Sequence, residues 1–511
     1  MALVKESVRV VPGWQRGLFY FKSEKTKRKK DSPRRTNQTM RIPARFRLAN
    51  LQTIPKRANL IAASDDFKPL LKYPTMTLNA LEEFNITKPT LIQCLALKRL
   101  GNFLHEKDRS RVRILSAETG SGKTLAYLIP IFEHLKRQEL DTENRLFDYT
   151  RCAILQPTNE LVDQTFQVAK KLSHSCKMRV EKTGKKMGDV YIGTPFKAGL
   201  IEGLREKVKI VVIDEADTLI TDPLFYRELE WVFTQRAAAD LKVILCSASI
   251  SEAMLKRLPI DDSVKGPNRD KDNAIVVKLQ PHQVIMSPNL HTPPPSVRHF
   301  VRVVKLAEAG RFDFICAKVI KSHEQTIVFC NSTAVAIRLY NHMLARHEHV
   351  PMLLHGGVPE QQRAAMLKQS PKLLITTDLM ARGVHFQNLE HVILCGAPPS
   401  PTDYLHRVGR IGRSGQTTSK RTRVTTVVSG KEYRFFRGLE AVLKIKVQLV
   451  KDSHGPSAIP EQPLVQAVKT TSHKTNKNAM VRPRRPHPNN AGIRRRDKAA
   501  RESSVPGVRA F

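Results

Sequence analysis

A glycine-rich octet, Ala117-Glu118-Thr119-Gly120-Ser121-Gly122-Lys123-Thr124, narrows most what this chain can fold into. It meets the pattern Gly-x-x-x-x-Gly-Lys-Ser/Thr in a relaxed form, with Ala117 at the first glycine position. Residues 111–115 before it alternate as a strand does, and residues 125–135 after it are apolar at helical spacing. Strand, glycine turn and helix form the setting of a phosphate-binding loop. Its glycines let the backbone N–H groups of Thr119, Gly120, Ser121 and Gly122 close round a phosphate chain, and the helix N-terminus adds a favourable dipole. Lys123 is placed to reach β- and γ-phosphates, and the Thr124 hydroxyl to ligate Mg²⁺. A glycine turn before an ordinary helix is the competing reading of the octet alone.

A second stretch answers it. Residues 208–213 are a short, mostly apolar run, and Asp214-Glu215-Ala216-Asp217 follows. Carboxylates at the carboxyl end of a buried strand lie where open α/β sheets bind ligands. Asp214 is placed to hold Mg²⁺, and Glu215 to orient and deprotonate a water. Together the two motifs indicate hydrolysis of a nucleoside triphosphate with Mg²⁺. They also make the chain resemble a DEAD-box RNA helicase of superfamily 2, over about residues 64–450. The resemblance implies two tandem RecA-like α/β domains with parallel sheets.

The formal charge of +39, from 86 Lys/Arg against 47 Asp/Glu, points to a polyanionic partner, nucleic acid ahead of a membrane surface. The excess is uneven: residues 1–60 hold 16 basic and 3 acidic side chains, and residues 451–511 hold 13 and 4. The organisation expected is a basic flexible arm at 1–63, an ATP-binding domain at 64–285 and a proline-rich linker at 286–297. A second domain at 298–450 and a basic flexible tail at 451–511 complete it. The first arm is rich in arginine and poor in acids, as a mitochondrial transit peptide is, and as a nucleolar or RNA-binding arm is. The seven cysteines are scattered and form no Cys-x-x-Cys. That suits a reducing compartment, with no disulfide framework and no zinc. No apolar run is long enough to span a bilayer.

Other segments carry the resemblance further. Thr90-Leu91-Ile92-Gln93 after Pro89 resembles the family's adenine segment. The Gln93 amide would read an adenine edge, with Phe67 or Tyr73 stacking on the base. Pro157-Thr158-Asn159-Glu160-Leu161 resembles Pro-Thr-Arg-Glu-Leu, and Thr194-Pro195-Phe196-Lys197 resembles Thr-Pro-Gly-Arg. Thr158, Thr194 and Lys197 are the RNA contacts this implies. Asn159 supplies no charge where arginine is usual, and Phe196 stands where a glycine normally lets backbone approach. Ser247-Ala248-Ser249 resembles Ser-Ala-Thr, and with Asp217 and His406 it would couple the two domains. In the second half His355-Gly356 and Arg363 keep the family spacing, Arg363 on an RNA phosphate. Thr377, Arg382 and Gly383 are further implied RNA contacts, while His385 replaces an aspartate that holds the ribose. His406-Arg407-Val408-Gly409-Arg410-Ile411-Gly412-Arg413 completes the set. Arg410 and Arg413 are expected one turn apart on a helix, as arginine fingers for the γ-phosphate.

The resemblance thus implies an RNA-dependent ATPase that remodels RNA locally, using ATP and Mg²⁺ and working as a monomer. Within the family the chain looks most like mitochondrial helicases of large-ribosomal-subunit assembly, with ribosomal RNA and assembly proteins as partners. The nucleus or nucleolus is the alternative compartment. Two rival functions stand beside it: an ATP-dependent RNA clamp with little unwinding, and a DNA translocase of the same superfamily.

Overall fold

The computed structural model describes residues 64–450, except 65, 106–110, 142–146, 185–187, 234–239, 259–282, 305–307, 322–323, 347–349, 370, 379–388 and 412–421. The expected arms at 1–63 and 451–511, and Arg382, Gly383, His385 and Arg413, lie outside the described residues.

Two parallel sheets organise what is described. The first comprises β1 (Val112–Ser116), β2 (Cys152–Leu155), β3 (Val180–Glu181), β4 (Val190–Gly193), β5 (Ile210–Asp214), β6 (Lys242–Ser247) and β7 (Val284–Met286). Their order is β3-β4-β2-β5-β6-β1-β7. The inner strands β2, β4 and β5 are buried along their whole length, as a sheet covered on both faces requires. Successive residues face opposite layers. Ile154 joins a core with Leu95, Leu128 and Phe132, from α2 (Leu91–Phe103) and α3 (Lys123–Asp141). Ala153 and Leu155 join the other core, with Leu219 and Ile220 from α7 (Ala216–Thr221) and Met254 from α9 (Glu252–Arg257).

The second sheet repeats the plan with β8 (Arg298–Val304), β9 (Thr326–Cys330), β10 (Met352–Leu354), β11 (Leu373–Thr376), β12 (His391–Cys395), β13 (Arg423–Ser429) and β14 (Val447–Leu449). The order here is β10-β11-β9-β12-β13-β8-β14. One core holds Phe329, Leu394, Tyr404 and Phe436, and the other holds Val328, Ile393, Leu339 and Phe312. Parallel neighbours need crossovers, and helices supply them. Residues 287–297, with Pro288, Pro293, Pro294 and Pro295, join β7 to β8.

In the second half a helix spans Thr333–Arg346, with the Ser332 hydroxyl just before it accepting from Val335 N–H. One local expectation needs correction. The helix expected to carry Arg410 and Arg413 ends at Val408; Gly409 closes it, its N–H on the carbonyl of Leu405 at 2.8 Å. Arg410 therefore lies in the turn beyond. All seven cysteines are buried and free, and burial pushes the Cys176 thiol up to about 12. Among the described residues, no helix is long and apolar enough to cross a membrane.

Candidate active site

The octet leaves the carboxyl end of β1 and enters α3, as its spacing predicts. Gly120 and Gly122 take φ of 85° and 90°, a region open to glycine and strained for other residues. A Cβ on Gly122 would also lie 2.6 Å from the Gln93 amide nitrogen. Lys123 Nζ donates to the carbonyls of Ala117 and Glu118, at 2.7 and 3.0 Å, which holds its charge at the mouth of the loop. The hydroxyl of Ser121 is buried with no hydrogen-bond partner.

The adenine segment is strapped to this loop. Thr90 Oγ1 donates to the Ser121 carbonyl at 2.8 Å, and Gln93 Nε2 to the Gly122 carbonyl at 3.3 Å. Gln93 Oε1 accepts from Thr90 N–H at 2.8 Å, so the same side chain caps α2. Phe67 is a correction: it is wholly buried in the first core and shows no face to a base. Of the two aromatics considered, Tyr73 is the one left half-buried.

Asp214 ends β5. Its carboxylate accepts from Tyr127 Oη at 3.1 Å, Gln156 Nε2 at 2.9 Å and Glu215 N–H at 3.0 Å. Burial and the neighbouring Glu215 carboxylate raise its pKa above the usual carboxylate value. Glu215 is held at φ 52°, a strained turn for a non-glycine residue. Its Oε2 is buried and has no hydrogen-bond partner. Asp214, Glu215 and Thr124 carry hard oxygen donors of the kind Mg²⁺ prefers.

Asp217 and Ser249 meet the other half of the chain. Ser249 Oγ donates to Asp217 Oδ2 at 2.9 Å and lies 3.1 Å from Thr402 Oγ1. His406 Nε2 lies 2.6 Å from the same Asp217 oxygen, and His406 Nδ1 is 3.8 Å from Glu215 Oε2. A carboxylate only accepts, so the imidazole proton belongs on Nε2. Thr402 and His406 both lie on α13 (Pro401–Val408). Ser247 acts locally, donating to the Ser249 carbonyl at 2.6 Å and accepting from its N–H at 3.1 Å. Thr119 touches Gly409 so closely that a Cβ there would lie 2.7 Å from Thr119 Cβ. Glu118, Thr119, Ala248, His291, Leu405 and Gly409 line a small cavity beside this contact.

The arginines divide differently from the pattern expected. Arg410 is 3% exposed, and its Nε donates to the His406 carbonyl at 3.1 Å. Arg407, which sequence reasoning passed over, is fully buried. It donates to both oxygens of Asp378, at 2.5 and 2.7 Å, and to Asn331 Oδ1 at 2.9 Å. Arg363, expected on an RNA phosphate, instead donates to Glu160 Oε1 at 2.6 Å across the two halves. Both side chains of that pair are nearly buried, at 12% and 11% exposure, and the carboxylate supplies the counter-charge that a near-buried guanidinium needs. Thr158 caps α4 (Asn159–Cys176), accepting from Leu161 N–H at 3.3 Å. Thr194 precedes α5 (Pro195–Ala198), and its hydroxyl makes no capping bond. Lys197 Nζ donates to Asn159 Oδ1 at 2.9 Å, so a neutral amide and an ammonium together occupy the place of two arginines. Thr377 is half-buried, its carbonyl accepting from Thr376 Oγ1 at 3.3 Å.

Gln156, Tyr127, Thr402 and Asp378 are the partners that the motifs did not disclose. Each is defined by contact across the fold rather than by local spacing.

Comparison with known proteins fits this geometry. Residues 91–258 match the DEAD/DEAH box helicase model, and residues 310–415 the helicase conserved C-terminal domain. The DEAD-box ATP-dependent RNA helicase 39 of Arabidopsis thaliana is 28% identical over 406 residues, covering 72% of this chain and 59% of that protein. The mitochondrial ATP-dependent RNA helicase MRH4 of Kluyveromyces lactis is 28% identical over 421 residues, covering 68% and 70%. The fold is shared with the S. cerevisiae Dbp5 structure bound to RNA and ADP BeF3, at a TM-score of 0.59 and 21% identity, over 76% of this chain and 96% of that one. With both nucleotide motifs at the carboxyl ends of parallel strands and the acidic motif bonded to the helix of the second half, the chain belongs to the DEAD-box family of ATP-dependent RNA helicases.

Proposed function

We propose that this chain hydrolyses ATP to open short RNA duplexes locally, acting on ribosomal RNA in the mitochondrion. The observation that carries the reading is the shared Asp217 oxygen, bonded by Ser249 and His406 from opposite halves. It links the acidic motif beside the nucleotide to the helix that closes the cleft. Lys123 and the loop N–H groups bind the phosphates, and Gln93 ties the adenine segment to that loop. Mg²⁺ held by Thr124 and Asp214 would neutralise charge on the β- and γ-phosphates. Glu215 orients and deprotonates the attacking water. Arg410 and Arg413 are the arginines assigned to the γ-phosphate. RNA would lie along Thr158, Thr194, Lys197, Thr377, Arg382 and Gly383, read through its backbone and 2′-hydroxyls rather than its sequence. The basic termini support an RNA partner, and the mitochondrial name of the MRH4 relative supports the compartment. The domain limits we assign are 64–285 and 298–450, joined by 286–297.

A second reading is an RNA clamp that turns over ATP with little unwinding. The Lys197–Asn159 bond favours it, because one RNA-facing amide and one cation there already engage each other. Strand displacement measured beside RNA-stimulated ATPase separates the two: turnover without displacement selects the clamp. Sequencing of RNA crosslinked to the protein in cells tests the substrate. Absence of mitochondrial ribosomal RNA from the crosslinks would remove that assignment.

A further inference from the structure

Large apolar side chains are exposed on and just after α5 and on α8 (Pro223–Leu229), two elements that pack together. Phe196 is 47% exposed, Leu200 86% and Leu224 63%, while Phe225 is half-buried. The rings of Phe196 and Phe225 are 5.6 Å apart, tilted at 53°. An aromatic in this setting gains little from the fold itself, since nearly half of its surface stays in water. Phe225 fixes the orientation of the Phe196 ring while an outer part of it stays open.

The neighbours of the ring are those of a nucleic-acid face. Lys197 follows it directly and is also exposed, reaching Asn159 at the start of α4. The Thr194 hydroxyl, two residues earlier, caps nothing. Strands β2 and β4 pair in parallel, so the segments at 158–159 and 194–197 leave the same carboxyl end of the sheet. A flat apolar ring beside a cation and a hydroxyl that caps no helix matches a nucleobase carried on its phosphate backbone. The glycine usual at this position serves backbone approach, and phenylalanine removes that option.

We infer that Phe196, propped by Phe225, is a stacking surface for one unstacked base of bound RNA. This rests on the RNA reading above. The base would lie against the open part of the ring, with its phosphate within reach of Lys197. Stacking accepts any base, so the site adds affinity and local distortion rather than sequence choice.

The test scans 2-aminopurine through a decauridylate bound to the full-length protein with ADP–beryllium fluoride and Mg²⁺. One position should be quenched by the ring. Phe196→Ala should lose that quench and bind roughly 5- to 150-fold more weakly, the range for loss of one base–aromatic stack. Its salt slope should not change, because no phosphate contact is removed. Phe196→Trp should restore both quench and affinity, which a purely structural role would not require, and Phe225→Ala should weaken the quench. If Phe196→Ala keeps affinity and quench while its unfolding midpoint is unchanged, the stacking site is overturned. A wild-type protein that fails to bind the RNA overturns the proposed function itself.

Discussion

His406 Nε2 lies 2.6 Å from Asp217 Oδ2, although 189 residues separate the two in sequence. Both side chains are almost wholly buried, at 4% and 1% exposure. A charge-assisted hydrogen bond in such a place is strong, and loss of either partner leaves the other without its match. Asp217 also takes the Ser249 hydroxyl, so this carboxylate joins partners from both halves, beside the Ser249–Thr402 and Arg363–Glu160 contacts.

Asp217→Asn and His406→Ala should therefore uncouple the domains more than they empty the nucleotide site. ATP affinity without RNA should change only a few-fold, while the RNA-induced gain in ATP affinity should fall by about 5- to 150-fold, the span of typical coupling energies. Nucleotide titrations with and without RNA measure this directly. A gain equal to that of the wild type in both variants would sink the coupling role.

Glu215→Gln keeps the size of the side chain and removes its basicity. ATP should still bind through Lys123 and the loop, while kcat falls by roughly 10²–10⁴. Asp214→Asn should weaken Mg²⁺ and with it nucleotide binding, and Lys123→Ala should abolish tight MgATP binding. ATP affinity and turnover for the three variants decide the division of roles. Normal turnover by Glu215→Gln would show that another group activates the water.

The Arg363–Glu160 pair calls for a double-mutant cycle. If Arg363 works through Glu160, Arg363→Ala and Glu160→Ala should each weaken RNA binding in the presence of an ATP analogue. The double variant should then be little worse than either single one. The slope of affinity against salt should hold. A slope shallower by about 1 in Arg363→Ala alone would return that side chain to an RNA phosphate.

Acid should destabilise the fold through buried imidazoles. Burial lowers His134, His291 and His299 to about 4, and His391 well below its ordinary value. Unfolded, each takes a proton near 6.5; folded, His134, His291 and His299 stay neutral down to about 4. Their contribution to stability is thus fully present above 6.5 and lost as pH falls towards 4. The loss is roughly 1.4 kcal/mol per pH unit for each proton bound only by the unfolded chain. Urea midpoints followed from pH 7 to 4.5 should fall, and a flat profile would contradict the burial of these rings.

How much of this was legible in the sequence depended on locality. The octet at 117–124 and the acidic run at 214–217 could be read directly, because phosphate and metal chemistry demand certain residue types at fixed local spacing. The two parallel sheets were implied by the family resemblance that those motifs carry. Phe67 misled, since an aromatic upstream of Gln93 serves core packing as readily as base stacking. Arg410 was expected within a helix that Gly409 ends. Thr402, Gln156 and Tyr127 carried no signal, because their roles arise only when distant elements meet. Arg363 had the right spacing for its motif, but its partner Glu160 lies 203 residues away.

The bonds of Asp217, Thr402 and Arg363 across the cleft impose a reciprocity on the two ligands. Each contact belongs to one arrangement of the domains, so a ligand that favours that arrangement raises the affinity for any other that does. The factor by which RNA tightens ATP must equal the factor by which ATP tightens RNA. Hydrolysis then changes the hold on RNA without touching an RNA contact, because loss of the γ-phosphate withdraws that factor from the RNA side of the balance.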